Sequence, residues 1–367
     1  MYLKKMKLQN YRLLEAADIS FQHGMNVLIG KNSTGKSTVL EAIDFLLSNN
    51  NANIPAEEII PYNMRNKQTV QVRIDGYFEM SDIEKDSVCS ILKNQNDHDL
   101  IKNSHMEIIY TKIIRKSGKS IRVTQDVQAN GNGISRNSNL LTQVVNSLLP
   151  KIQTNNLLRI TDFENDNNLQ PLLPLNQLMQ MAPHQSSLLN QYIRNAFYDM
   201  KQGNIDEFNK IKNNIIKSYP EMVDMDIEFD PKRAQIQIYF KMKDSDIKIP
   251  LENEGWGIRE FFYLFLTLYY FPDTLILKDE ALTHMHKSLL SDFIIALDGL
   301  QYQMITTSHI KELIHTLDFG NIIICRKCDG KVTVKNLMLM DEIDKALEEL
   351  GYPIDAIPEI DNLIQEN

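Results

Sequence analysis

Apolar and polar positions change period several times along the first 48 residues. LKKMKLQNYRLLEAADISF reads as strand, His23-Gly24 as a turn, and Met25-Asn26-Val27-Leu28-Ile29 as a buried strand that runs into a glycine-containing loop. From Ser37 to Ser48 the period becomes helical, with Val39, Ile43, Leu46 and Leu47 on one face. After an Asn-rich linker, SNNNANIP, alternation returns over Thr69–Met80, which predicts a strand closing the N-terminal half of a site. Periodicity then weakens from Ser81 to about Pro220. That stretch contains a hairpin, MEIIYTKIIRKSGKSIRVTQDV, turning at Lys116–Lys119, then an Asn-rich loop from Asn130 to Asn139. Two helices follow, Ser187–Met200 and Ile205–Ser218.

The last third is regular again. Asp224–Phe229 and Gln235–Lys241 read as paired strands around Asp230-Pro231, Trp256–Tyr270 as a strongly apolar helix, and Thr274–Leu277 as a buried strand. A helix over Lys287–Leu297 and a strand over Gln303–Thr307 complete an alternating β/α order, which favours a mainly parallel sheet and an α/β class. The expected division is residues 1–80 and 223–367 as two parts of one core, with 81–222 inserted between them as a helical segment carrying the hairpin.

A chain of 367 residues exceeds what a single compact core usually holds, consistent with that division. Its 43% hydrophobic and 24% charged residues place it among ordinary globular proteins. The start does not form a signal-peptide core and no run is apolar enough to span a bilayer, so a cytoplasmic protein without a membrane partner is expected. A formal charge of −9 argues against wholesale wrapping by nucleic acid but leaves room for a local basic surface. Three cysteines are too few for a disulfide framework. Cys325 and Cys328 form a lone CxxC pair in a strand-like stretch, where no second ligand pair supports a zinc site.

Chemistry concentrates at the loop after Ile29. In Gly30-Lys31-Asn32-Ser33-Thr34-Gly35-Lys36-Ser37, a strand feeds a glycine loop that opens a helix, the context a P-loop requires. Gly30 and Gly35 let backbone N–H groups turn toward phosphate oxygens, and the helix start offers its positive end to the same charge. Lys36 then reaches the β and γ phosphates of ATP, the Ser37 hydroxyl binds Mg²⁺, and Thr38 contacts the α phosphate. Asp279 and Glu280 end the apolar strand Thr274–Leu277. Asp279 is expected to hold the metal through water and Glu280 to orient or deprotonate the attacking water. His309, just past Gln303–Thr307, is a candidate γ-phosphate sensor. His284 and His286 do not share a helical face, so a structural or dimer-contact role is expected for them.

Several segments together resemble one family. KLQNYRLLEAADISFQHGMNVLIGKNSTGKSTVLEAIDFLL resembles the N-terminal signature of ABC-type ATPases of the RecF, SMC and OLD group, with Asn32 matching the asparagine of G-x-N-x-x-G-K-S-T. LILKDEALTHMHKSLL is similar to the group's Walker B and D-loop, and ITTSHIKEL to its switch-histidine segment. The resemblance covers roughly residues 1–80 and 224–335. It implies a P-loop NTPase fold, an ABC-type head with a mixed β-sheet flanked by helices. It also implies ATP sandwiched between two protomers, each γ phosphate being met by a signature loop of the partner copy. The matching segment is Glu254-Gly255-Trp256-Gly257-Ile258-Arg259, with Gly255 and Gly257 suited to close approach to phosphate. Trp256 stands where a serine usually donates its hydroxyl, which implies slow turnover or ATP acting mainly to join two copies. Ala281 replaces the proline that often follows the acidic pair. Arg12, in N-Y-R, matches a position near the base or phosphates.

OLD-type nucleases carry a C-terminal Toprim domain, and the stretch after His309 is too short to be expected to hold one. In that respect the chain is similar to stand-alone ATPases of anti-phage systems of the PARIS and Septu types, which act with a separately encoded effector. The implied partners are therefore a second copy, in a homodimer or higher homo-oligomer, and an effector protein. A DNA clamp of the repair type is the alternative, with Lys112, Arg115, Lys116, Lys119 and Arg122 as its candidate phosphate contacts. A scaffold that binds ATP without hydrolysing it is the third reading.

Overall fold

A computed structural model of the chain describes residues 1–47, 56–92, 95–103, 105–131, 139–154, 157–160, 175, 186–219, 221–243, 246–272, 274–317, 320–328 and 330–351. Its centre is a six-stranded sheet. β3 (Gly24–Ile29) lies between β12 (Gln303–Thr307) and β13 (Ile322–Cys328). Beyond β12 come β11 (Leu275–Lys278) and β7 (Leu157–Ile160), and beyond β13 comes β14 (Lys331–Asn336). All neighbours are parallel except β13 and β14. The apolar runs in β3, β11 and β12 are what a sheet covered on both faces needs. Alternate residues point to different cores: Met25, Val27, Ile29, Ile276 and Met304 face one, and Leu28, Leu275, Leu277 and Ile305 face the other.

The first core is filled by the helices Ser186–Gly203, Ile205–Lys217 and Trp256–Tyr270. A three-stranded antiparallel sheet of β8 (Met222–Asp230), β9 (Gln235–Met242) and β10 (Lys248–Pro250) also packs there. Across the central sheet, the helix Lys36–Leu47 is sandwiched against a second, five-stranded antiparallel sheet. That sheet runs β2 (Leu14–Ser20), β1 (Tyr2–Tyr11), β4 (Thr69–Glu79), β5 (Met106–Ser117) and β6 (Ser120–Gly131).

Thr69–Met80 therefore does not close the N-terminal half of the site as expected. β4 is antiparallel to both β1 and β5 and belongs to the covering sheet. Its link to the site is indirect, through Gly76. A Cβ there would stand 2.5 Å from Leu46 Cδ2, so the missing side chain is what lets the sheet seat on the helix Lys36–Leu47. The segment 81–222 contributes to both sheets. Its hairpin, closing at Gly118-Lys119, pairs β5 with β4 from Thr69 opposite Ser117 to Glu79 opposite Glu107, and β7 pairs with β11. The Asn-rich linker and most of the Asn-rich loop lie outside the described residues.

One member of the basic hairpin is misplaced by a purely sequential reading. Lys112 shares the face of Ile108, Tyr110 and Ile114 by the two-residue period of β5, and it is fully buried. Its Nζ donates to Phe45 O at 2.7 Å in the last turn of the helix Lys36–Leu47 and lies 5.0 Å from the Phe45 ring centre. It cannot reach nucleic acid from there. Burial lowers its pKa to about 8, with Asp44 opposing.

The folded state thus binds fewer protons here than the unfolded chain between about pH 8 and the ordinary lysine value of 10.5. Stability from this group must rise with pH across that window. Relative to Lys112→Met, the native chain should gain up to about 3 kcal/mol between pH 8 and 10.5, measured by denaturant unfolding at both values. A difference that stays constant over the window refutes the assignment.

Candidate nucleotide site

The loop between β3 and the helix Lys36–Leu47 is built around backbone that most side chains cannot adopt. Gly30 has φ 152°, and a Cβ on it would lie 2.4 Å from Cys325 O and 2.6 Å from Thr34 Oγ1. Only a residue without Cβ lets the loop lie this close to β13. Ser33 takes a left-handed φ of 62°, and Thr34 Oγ1 donates to Lys31 O at 2.8 Å. Lys36 is buried, and its Nζ donates to Gly30 O at 2.8 Å and Lys31 O at 3.1 Å, across the mouth of the loop. Burial lowers its pKa, opposed by Cys325, Asp279 and Glu280. Asn32, Ser33 and Ser37 are exposed at this mouth and Thr38 is half-buried.

Asp279 and Glu280 follow β11, which is separated from β3 by one strand, β12. Parallel register brings their ends together: Ser37 Oγ donates to Asp279 Oδ2 at 2.9 Å, across 242 positions of sequence. Thr307, the last residue of β12, locks the arrangement. Its hydroxyl donates to Asp279 Oδ1 and accepts from Glu280 N at 2.8 Å. Thr306 Oγ1 accepts from Ala281 N at 3.2 Å. Glu280 and Leu282 are both left-handed, with φ 52° and 67°. A hydroxyl and a carboxylate in contact at an exposed helix start fit Mg²⁺, which takes one or two protein oxygens and completes its shell with water and phosphate.

His309 is half-buried beyond β12. Burial and then Lys36 lower its pKa from the ordinary histidine value, with Glu280 and Asp279 opposing, so it stands within the field of the same three groups. Arg12 sits at the turn between β1 and β2 with φ 49°, paired to Glu41 in the helix Lys36–Leu47, and its N–H donates to Ile59 O at 2.8 Å. It borders a depression of about 430 Å³ together with Leu13, Glu58, Ile60, Tyr62 and Arg65.

Gly255 is the N-cap of the helix Trp256–Tyr270 and, having no side chain, supplies no capping hydrogen bond. Trp256 is 41% exposed and carries the Arg259 guanidinium 4.2 Å from its ring centre. Gly257 abuts the turn after Glu280, since a Cβ there would meet His284 O at 2.5 Å. The two histidines stand apart in role. The His284 ring lies 5.9 Å from Trp256, while His286 is the N-cap residue of the helix Lys287–Ala296. Among the described residues no group of three His, Cys, Asp or Glu could hold a metal ion. Cys325 is buried and Cys328 exposed, three positions apart on β13 and so on opposite faces.

Sequence reasoning missed Thr306, Thr307, Lys278 and Glu260. Lys278 and Glu260 are each 3% exposed and pair at 3.4 Å, and Glu260 Oε1 accepts from Leu282 N at 3.0 Å. The available signal was a lysine interrupting the apolar run TLILKDE and a glutamate inside the apolar helix REFFYLFL.

Comparison with known proteins points the same way. The profile described as AAA ATPase domain (AAA_15) matches residues 1–314. The DNA replication and repair protein RecF of Francisella tularensis subsp. mediasiatica is 41% identical over 46 residues, 12% of this chain and 13% of that protein. RecF of Pasteurella multocida is 44% identical over 46 residues, again 12% and 13%. RecF of Streptococcus uberis is 37% identical over 71 residues, 19% and 20%. The chain thus spans a fifth or less of the length of these curated relatives.

Solved structures match over nearly the whole chain. An SMC head bound to the C-terminal winged-helix domain of ScpA superposes with a TM-score of 0.59 at 16% identity, covering 93% of this chain and 100% of that one. An SMC head with an extended coiled coil bound to the C-terminal domain of ScpA, from Pyrococcus furiosus, gives 0.56 at 15%, covering 95% and 99%. At these identities the likeness is one of fold, and the fold is the α/β one of P-loop NTPase heads.

Proposed function

The chain belongs to the AAA ATPase domain family, and from that premise we propose that it binds ATP with Mg²⁺ and hydrolyses it slowly within a homodimer closed by the nucleotide. The observation that carries this reading is the hydrogen bond between Ser37 and Asp279, which joins the phosphate-binding helix start to the acidic strand end at a single point.

Each residue has a part in it. Backbone N–H groups from Gly30 to Lys36, with Asn32 and Ser33 at the mouth, surround the phosphates, and Lys36 turns from two loop carbonyls to the β and γ oxygens. Ser37 and Asp279 would hold Mg²⁺, which when bound neutralises charge developing on the β and γ phosphates. Thr38 contacts the α phosphate and Arg12 the nucleotide's edge. Glu280, held by its backbone to Thr307, orients or deprotonates the attacking water, and His309 donates to the γ phosphate. The helix start at Gly255 and Gly257 meets the γ phosphate of the partner copy. With Trp256 in place of a serine hydroxyl, that contact is weaker and turnover slow.

The resemblance to stand-alone defence ATPases extends the reading: ATP-driven closure would hold or release a separately encoded effector in the cytoplasm on phage infection. Free cysteines suit that reducing compartment. The alternative, a RecF-like DNA clamp, draws on the RecF-matching stretch and on Arg115 and Arg122, exposed and directly opposite each other in the hairpin. Sedimentation with Mg-ATP, with ADP and without nucleotide tests the common core. The mass should double only with ATP, and a species unchanged by ATP at micromolar protein refutes nucleotide-closed dimerisation. Salt-sensitive DNA binding stimulated by ATP would select the clamp.

A further inference from the structure

The turn that follows the acidic pair is held in an unfavourable shape by three side chains. Left-handed backbone at a residue with a Cβ costs on the order of 1 kcal/mol and persists only where surroundings fix it. Glu280 and Leu282 both adopt it. The three consecutive N–H groups of Glu280, Ala281 and Leu282 are taken by Thr307 Oγ1, Thr306 Oγ1 and Glu260 Oε1 at 2.8, 3.2 and 3.0 Å. Two of these acceptors belong to the central sheet. The third comes from the helix whose first residues, through Gly257, lie against His284 at the far end of the same turn.

A carboxylate that is 3% exposed is costly, and here it is matched by the ammonium of Lys278, equally buried, at 3.4 Å. Such a pair adds little stability over apolar residues of the same volume. Its retention in an otherwise apolar strand and helix calls for another account. We infer that Glu260 is a positioning residue for Glu280: its carboxylate ties the helix Trp256–Tyr270 to the left-handed turn 280–282 and thereby fixes where the Glu280 side chain stands, with Lys278 as its counter-ion. This rests on the reading of Glu280 as the base.

Two double variants separate positioning from stability. Glu260→Gln with Lys278→Met removes the ion pair but keeps an acceptor for Leu282 N. Glu260→Leu with Lys278→Met removes both at similar volume. Both should fold, bind Mg-ATP within about threefold of the native chain, and differ in turnover. The Gln variant should keep kcat within about threefold, and the Leu variant should lose about 10²-fold in kcat with KM unchanged, the scale of an ångström-sized displacement of a reacting group. Amide exchange at Leu282 should be protected in the native chain and the Gln variant and fast in the Leu variant.

Equal turnover in the two variants, a loss confined to KM, or equal protection of Leu282 overturns the inference. So does a Leu variant too unstable to assay, because the acceptor would then serve the fold. Native turnover insensitive to Glu280→Gln would instead remove the base assignment, and is told apart because the exchange pattern would stand unchanged.

Discussion

Glu280→Gln is expected to leave ATP affinity within about threefold of native and to lower phosphate release by about 10²–10⁴-fold, the usual range for loss of a general base. The expectation follows from what anchors this residue. Its main chain, not its carboxylate, is bound to Thr307, so the amide side chain can occupy the same space without disturbing β11 or the turn. Asp279, which carries the bonds to Ser37 and Thr307, is untouched, and so is the pair proposed to hold Mg²⁺. With hydrolysis blocked and binding intact, the ATP-closed dimer should accumulate. Single-turnover phosphate release and sedimentation of the same sample measure both halves. Phosphate release within threefold of native would mean that Glu280 is not the base.

The second large effect belongs to Lys36→Ala. Lys36 is buried at the loop mouth, and its ammonium already bridges two carbonyls that line the mouth. Removing it takes away charge-assisted bonds to phosphate, each worth about 1.5–3 kcal/mol, so ATP affinity should fall by about 10–10²-fold or more. The loop itself should survive, because Gly30 still lies against Cys325 of β13 and Thr34 Oγ1 still donates to Lys31 O. Titration calorimetry with Mg-ATP on native and variant chains decides it. Unchanged affinity would place the triphosphate elsewhere and undo the site.

How much of this was legible in the sequence differs from region to region for physical reasons. Trp256–Tyr270 and Gln303–Thr307 coincide with the elements found, because each is an apolar run bounded by glycine or turn residues. The pairing of 224–229 with 235–241 also holds, slightly lengthened in β8 and β9. The opening stretch forms a hairpin of two strands because Asn10 and Arg12 both turn left-handed, a change that no alternation pattern announces. The helix Asp82–Ile91 went unread although Ser81 and Glu84 form a capping box, a signal that was present. Lys112 shows the opposite failure: a basic residue counted by proximity in sequence, when the strand period already assigned it to the apolar face.

For the candidate site, the glycine loop was readable from its spacing together with the strand before it and the helix after it, both of which the structure has. The threonines of β12 and the Glu260–Lys278 pair were not, since their meaning depends on which strand lies between β3 and β11.

β7 spans only Leu157–Ile160, yet it grips two parts of the molecule. It runs beside β11 with Ile160 opposite Lys278, the residue before Asp279, and Arg159 reaches Asp44 on the helix Lys36–Leu47 at 2.7 Å. A displacement of β7 would therefore be felt at once by the strand that precedes Asp279 and by the helix that follows the glycine loop. Four residues of the segment 81–222 are thus fastened to both halves of the candidate site.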